Sequence, residues 1–365
     1  MIKRGLCDIC SPKQWKTISS NMLTESGYPV YGANGIIGFY SEYNHEKKTL
    51  LITCRGATCG TLNICEPFSY VNGNAMALDN LSGEVDLSYL FYYLSARGLS
   101  DVITGSAQPQ IVRESLKKVE IAYPSLDEQR KIAAVLDEVS DLITKRRQQL
   151  DKLDLLVKSK FIEMFGDPDT NPFGWTESLL SEHLEVIGGY AFKSDRFEKT
   201  GIPVLRIGNI NSGHFVPVNM VYWKEDPTLE KYKMYPGDLV ISLTGTVGKD
   251  DYGNVCILNS DYPEYYLNQR NAKLEILPTL DKCYLSEILK FPSIKKRLTG
   301  ISRGVRQANI SNKDILNLNI PIPPIEQQHK FSDFLEHTNQ SKKSIKQGLE
   351  KLETLKKSLM QKYFG

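Results

Sequence analysis

The chain has 365 residues, of which 41% are hydrophobic and 24% charged, with a formal net charge of +2. That length allows two or more domains with proper cores, and the proportions are ordinary for a soluble protein. No apolar run is long enough to span a bilayer and no signal-peptide pattern opens the chain, so a cytoplasmic location without membrane contact is expected, while the near-neutral balance excludes a protein that coats nucleic acid by charge alone.

Residues 1–123 read as a first globular domain. Trp15 stands near its start, and Leu50-Leu51-Ile52-Thr53 is a short β-rich run. It leads into the glycine loop Cys54-Arg55-Gly56-Ala57-Thr58-Cys59-Gly60. Asp86–Ser95 has helical texture. Ser106-Ala107-Gln108-Pro109-Gln110 then separates Thr104-Gly105 from the apolar positions Ile111, Leu116 and Ile121. Lys and Arg balance Asp and Glu here, 11 to 11, so a specific reader of DNA would need partners to supply much of the phosphate contact. Cys7-Asp8-Ile9-Cys10 has the spacing of half a zinc site, but no second such pair follows. With seven scattered cysteines, neither a metal site nor a disulfide framework is expected.

Residues 124–166 predict one long helix. Pro124-Ser125 precedes the acidic Asp127 and Glu128, which suit the positive end of a helix dipole. Apolar residues recur in steps of mostly three and four at Ile132, Val135, Val139, Ile143, Leu150, Leu153, Val157, Phe161 and Met164, which is a coiled-coil seam. About 38 residues make a rod of roughly 57 Å. Gly166 before Asp167-Pro168 ends it.

Residues 167–323 repeat the texture of the first domain. Leu239-Val240-Ile241-Ser242 precedes Leu243-Thr244-Gly245-Thr246-Val247-Gly248, again a β-rich run and a glycine loop. Tyr284–Lys296 has helical texture. Ile310, Ile315 and Ile320 repeat the spacing of Ile111, Leu116 and Ile121. The polar stretch before Ile310 is four residues longer than its counterpart and carries Arg303, Arg306 and Gln307.

Residues 324–365 predict a second long helix that copies the first. Leu126-Asp127-Glu128-Gln129-Arg130-Lys131-Ile132 returns as Ile325-Glu326-Gln327-Gln328-His329-Lys330-Phe331, and Phe165-Gly166 returns at the same interval as Phe364-Gly365. The copies carry different charge, 8 basic to 8 acidic residues in 124–166 and 8 to 5 in 324–365. The fold class expected is α+β: two mixed α/β globular domains joined by two long helices packed as an antiparallel coiled coil, with an internal pseudo-two-fold repeat.

No Walker A loop, nucleophile elbow or H-E-x-x-H zinc helix is present, and Asn171-Pro172-Phe173 past the first helix reads as a linker turn. No catalytic or metal-binding residues are assigned. Binding chemistry remains, since Asn, Gln and Arg contact base edges while Ser, Thr and Lys reach phosphates. The glycine loops offer Arg55 and Thr58 in the first half, and Thr244, Thr246 and Lys249 in the second. The variable loops offer Gln108 and Gln110 against Arg303, Arg306 and Gln307. Tyr190, Lys193, Arg206 and Asn209 add to the second half.

Taken together these motifs resemble the specificity subunit of a type I restriction-modification system. Pro124-Ser125-Leu126-Asp127-Glu128-Gln129 and Pro324-Ile325-Glu326-Gln327-Gln328, each opening a helix that ends in Phe-Gly, carry the likeness best. Tyr28–Gly38, Gly201–Ile210 and Leu267-Asn268-Gln269-Arg270 extend it, and add Tyr31, Asn34 and Arg270 to the DNA-binding candidates. The resemblance implies two target recognition domains, 1–123 and 167–323, each reading half of a split site in double-stranded DNA, with the helices as spacer and docking surface. It implies two methyltransferase subunits as partners, with two restriction subunits as a further optional part. S-adenosylmethionine, and ATP and magnesium for restriction, would then belong to those partners and not to this chain. A coiled-coil adaptor bridging two protein partners without touching DNA is the rival reading of the helix repeat.

Overall fold

A computed structural model of the chain describes residues 1–105, 107–300 and 307–365, with only the backbone of Gln307. Two compact units emerge: Met1–Gln149 with Ile345–Gly365, and Leu150–Ser344. Each unit therefore holds one globular part and a portion of both long helices.

The helices run over Leu126–Phe165 and Ile325–Phe364, 40 residues each, and both their starts and their ends are offset by the interval of the sequence repeat. At 1.5 Å per residue each is about 60 Å long. Gly166 stops the first: its φ of 79° is one that side chains avoid, and a Cβ there would lie 2.5 Å from Pro172 Cγ. Beyond it, both polar ends of the Asn171 side chain bond the backbone of Trp175, so Asn171-Pro172-Phe173 forms a turn.

Within each unit the helices pack against each other and against the globular part. In the first, Phe364 meets Tyr89 and Tyr93 at 5.4 and 5.9 Å, while Arg147 reaches Glu353 at 2.7 Å. In the second, Phe161 and Phe165 each lie 5.5 Å from Phe331, and Lys342 pairs with Asp154 at 2.7 Å. Partner numbers fall on one helix as they rise on the other, so the pair is antiparallel. Ile132, Val139, Ile143, Val157 and Phe161 of the expected seam are buried, but Val135 is exposed and Leu136 is buried beside it. A 3.6-residue turn drifts against a 3.5-residue repeat, and near the start of the helix the buried face follows the globular part.

The globular parts repeat in topology. The first unit has an antiparallel sheet in the order Ser11–Gln14, Ala75–Asp79, Thr49–Thr53, Leu62–Cys65. The second has Leu184–Gly188, Asn271–Ile276, Leu239–Ser242, Val255–Ile257 in the same arrangement. A second sheet in each contains one parallel pair, Tyr28–Gly32 with Tyr70–Val71 and Ile202–Leu205 with Tyr265–Leu267. Before each long helix a strand returns to pair with the start of its domain, Ile2–Gly5 with Glu120–Tyr123 and Glu177–Leu179 with Asn319–Pro321.

The central strands are apolar throughout because both their faces are covered. Leu50 and Ile52 enter the main core, whereas Leu51 packs with Tyr31 and Val71. Leu239 and Ile241 enter the main core of the second unit, whereas Val240 packs with Leu205 and Leu267. Alternation along a strand sends neighbours to opposite faces. Gly27 and Gly201 occupy matching positions: φ is 127° and 126°, and a Cβ would sit 2.5 Å from the carbonyl oxygen of Tyr40 or Trp223. Each glycine lets its strand pass close to its neighbour. Among the described residues no helix is long and apolar enough to cross a membrane, and no cluster of His, Cys, Asp or Glu is placed to hold a metal.

Candidate nucleic-acid interface

In the first unit three loops meet beyond the end of strand Thr49–Thr53. The Ile111 N–H donates to the Cys54 carbonyl at 3.0 Å, and the Gly56 N–H to the Pro109 carbonyl at 3.1 Å. Arg55 and Gln110 thereby face each other as an antiparallel bridge, and Thr104 pairs with Gln110 from the other side. The buried Thr53 hydroxyl donates to the carbonyl of Ala33, which ties in the hairpin tip that bears Asn34. Asn34, Arg55, Thr58, Gln108 and Gln110 all have exposed side chains in these loops.

The second unit closes the same way. The Ile310 N–H donates to the Leu243 carbonyl at 2.8 Å, and Thr244 faces Asn309. Gln110 and Asn309 are equivalent in the sequence repeat, so the bridge is one structural position occupied twice. The pairing is longer here, joining Thr244–Thr246 to Gln307–Asn309. Thr246 and Lys249 are exposed on the turn beyond it. Asp251 holds that turn by accepting from the Thr246 N–H at 2.7 Å, and this bond keeps its carboxyl below the usual carboxylate range.

Beside this turn lies an open groove of about 590 Å³ lined by Arg206, Asn219, Asn268, Gln269 and Arg270. Through Ile207 and Arg270 it adjoins a smaller hollow of about 370 Å³ that reaches Asn211, Thr244 and Thr246. The Arg206 guanidinium donates to the Asn219 carbonyl, which fixes it against one wall. Arg270 is exposed, and among the described residues its guanidinium has no partner. Thr244 Oγ1 and Asn271 Oδ1 are buried without a hydrogen-bond partner among the described residues.

Two expectations are corrected. Tyr31 is buried against Leu51 and Val71, and its hydroxyl accepts from the Glu66 N–H at 3.3 Å, leaving no edge for DNA. Asn209 is buried too. Its amide donates to the Val216 and Val218 carbonyls at 3.0 Å each, and its oxygen accepts from the Arg206 N–H at 3.0 Å. It shapes the loop and has nothing left to offer a base. Tyr190 is exposed but packs on Phe192 and Tyr232 at 4.9 and 5.3 Å, and Lys193 is exposed next to it, at the rim of the larger groove. Arg303 and Arg306 lie outside the described residues, and Gln307 enters only through its backbone pairing with Thr246. Sequence reading missed Asn219, Asn268 and Gln269 as groove residues. Asn268 and Gln269 stand beside Arg270 in a family-like motif, whereas nothing in the sequence marks Asn219.

Comparison with known proteins agrees with this geometry. The model of the type I restriction modification DNA specificity domain matches twice, over residues 3–153 and 172–354. A specificity subunit of the MjaVIII type I restriction enzyme from Methanocaldococcus jannaschii is 24% identical over 309 residues, covering 80% of this chain and 72% of the relative. A putative type I specificity subunit from Haemophilus influenzae is 22% identical over 352 residues, covering 92% and 86%. The crystal structure of a type I system S subunit from M. genitalium shares the fold with a TM-score of 0.68 at 18% identity, over 100% of this chain and 96% of that one. Duplicated loops on a duplicated frame, two matches to one family model and a shared fold along the whole chain lead to one conclusion: the protein belongs to the type I restriction-modification DNA specificity family.

Proposed function

We propose that this chain reads a bipartite site in double-stranded DNA, one half with the loops of each unit, and brings methyltransferase subunits to it. The observation behind this reading is the repeated loop closure. Arg55 faces Gln110 in one unit and Thr244 faces Asn309 in the other, so the backbone frame is kept between halves while the side chains on it differ. Two frames of one shape with different hydrogen-bonding groups suit two half-sites of different sequence. The long helices act as the ruler between them.

The chain confers specificity and leaves the chemistry to others. Two methyltransferase subunits would bring S-adenosylmethionine, and two restriction subunits would add ATP and magnesium. A partner present in two copies fits the exposed apolar residues of the helices. Leu156 and Leu355, equivalent positions of the two helices, are 47% and 46% exposed, which gives each helix the same foothold.

The test is binding of the reconstituted methyltransferase complex to duplexes with either half-site scrambled, comparing wild type with Arg270→Ala. A base-edge contact made only in the second half should cost about 1–3 kcal/mol, roughly 5- to 150-fold, on DNA with an intact second half. It should cost nothing once that half is scrambled. Wild-type binding indifferent to both scrambles would leave the adaptor reading in its place.

A further inference from the structure

The two units differ just beyond their equivalent strands Tyr28–Gly32 and Ile202–Leu205. In the second, residues 206–220 form a long connection with a short turn at Ile207–Asn209 before the partner strand Val221–Trp223. In the first, the chain turns on Ala33 and Asn34 alone, and Gly35 already pairs with Gly32. The result is a tight β-ribbon. Its tip carries the exposed Asn34 followed by Ile36 and Ile37, which are 56% and 45% exposed. The register slips between them, with Tyr31 facing Ile36 and Val30 facing Gly38, so Ile37 is a bulged extra residue and both isoleucines stand in solvent beside the turn. Gly32 makes room for the second of them, because a Cβ there would lie 2.8 Å from Ile37 Cγ2.

The tip is held in place. The Thr53 hydroxyl donates to the Ala33 carbonyl, and Arg55 stands just beyond Thr53 in the chain. Across residues 33–37, 54–60 and 104–110 the one charged residue is Arg55, and there is no carboxylate. The surface combines an amide, branched apolar side chains and one cation, without any group that would repel a polyanion. A two-stranded ribbon fits the DNA major groove, where Asn pairs with adenine N6 and N7 and apolar side chains contact the thymine methyl.

Resting on the DNA reading above, we propose that the tip Ala33–Ile37 enters the major groove of the first half-site and reads an adenine–thymine step. Asn34 takes the adenine edge, Ile36 packs on a thymine C5 methyl, and Arg55 meets the flanking phosphate. The second unit has no such ribbon among its described residues, so methyl reading by this device belongs to one half-site only.

The experiment uses the reconstituted methyltransferase complex. Methylome sequencing first defines the wild-type motif. Duplexes are then made with uracil in place of every thymine of one half-site, which removes only the methyl groups. Wild type should bind first-half uracil DNA about 4-fold more weakly per contacted methyl. Ile36→Ser should bind thymine DNA more weakly by the same factor and lose its sensitivity to first-half uracil. Asn34→Ala should relax an adenine position in the first half of the motif and leave the second half as it is. The proposal falls if the first half-site has no adenine–thymine pair, if wild type ignores first-half uracil, or if Ile36→Ser stays as sensitive as wild type. These outcomes leave the bipartite reading intact, whereas absence of any defined motif would overturn both.

Discussion

The buried side chain of Gln129 accepts a hydrogen bond from the backbone N–H of Asp86 at 2.9 Å. Its amide also donates to the carbonyls of Glu84 and Pro124 at 2.9 and 3.0 Å. Gln328 does the same in the second unit, accepting from Asp281 at 2.8 Å and donating to Pro323 at 2.7 Å. Asp86 and Asp281 cap the helices Leu87–Arg97 and Lys282–Ile288. One glutamine in the first turn of each long helix thus clamps it to the start of a domain helix.

Replacing Gln129 with Leu strips partners from a half-buried N–H and two carbonyls within reach of solvent. At about 1–3 kcal/mol for a fully buried unmatched group, a loss of about 1–3 kcal/mol in all is expected in the first unit. Hydrogen exchange over Leu87–Arg97 should accelerate accordingly, while Glu128→Ala, exposed one residue away, should change it by no more than about 0.5 kcal/mol. Equal effects from the two variants would refute the clamp.

The aromatic residue that ends each helix should matter unequally. Phe165 is buried, 4.8 Å from Tyr284 and 5.0 Å from Phe161. Phe364 packs on Tyr89 and Tyr93 but is only partly buried. Phe165→Ala should cost about 3–5 kcal/mol, and Phe364→Ala less than half of that. Urea unfolding followed by exchange in each unit separates the two effects.

Stability should fall on the alkaline side. Burial pushes the thiols of Cys10 and Cys256 up from 9.0 to about 12, and the Tyr89 hydroxyl from 10.0 to about 12. The unfolded chain releases these protons first, so the stability they confer is complete below about pH 9 and drains away toward about pH 12. Chemical denaturation at steps between pH 8 and 12 should show a steady loss, and Cys256→Ala should flatten part of it. A stability profile level across that window would contradict the assignment.

The ion pairs between the helices should contribute little. Arg147 and Glu353 are both well exposed, and such pairs are worth about 0–1 kcal/mol. Glu353→Gln should move the unfolding midpoint barely at all, whereas Leu136→Ala, which opens a buried site in the same helix pair, should cost about 2–5 kcal/mol.

Much of this architecture is legible in the sequence because the helices are periodic and local. Their ends follow from Pro124-Ser125 and Phe165-Gly166, and the second copy supplies an independent reading of the same signals. Strands Thr49–Thr53 and Leu239–Ser242 are legible because apolar runs next to glycines leave few other options. Pairing partners are not, since Arg55 meets Gln110 from a distant part of the chain and no local pattern records it. The expectations for Tyr31 and Asn209 fail because a tyrosine hydroxyl or an asparagine amide looks the same in sequence whether it faces DNA or the interior. Gln129 and Gln328 are visible in sequence only as part of a repeat; that they are buried clamps emerges once the capped helices beside them are in place.

If each globular part reads its own half-site on a shared frame, as proposed above, one measurement shows it most directly. It is methylome sequencing after residues 167–323 are replaced by the corresponding segment of another family member with a different second domain. The motif expected keeps the first half and the spacer length of the parent, and its second half alone is new. A motif altered in both halves, or one with a changed spacer, would show that the halves are not read independently on a fixed frame.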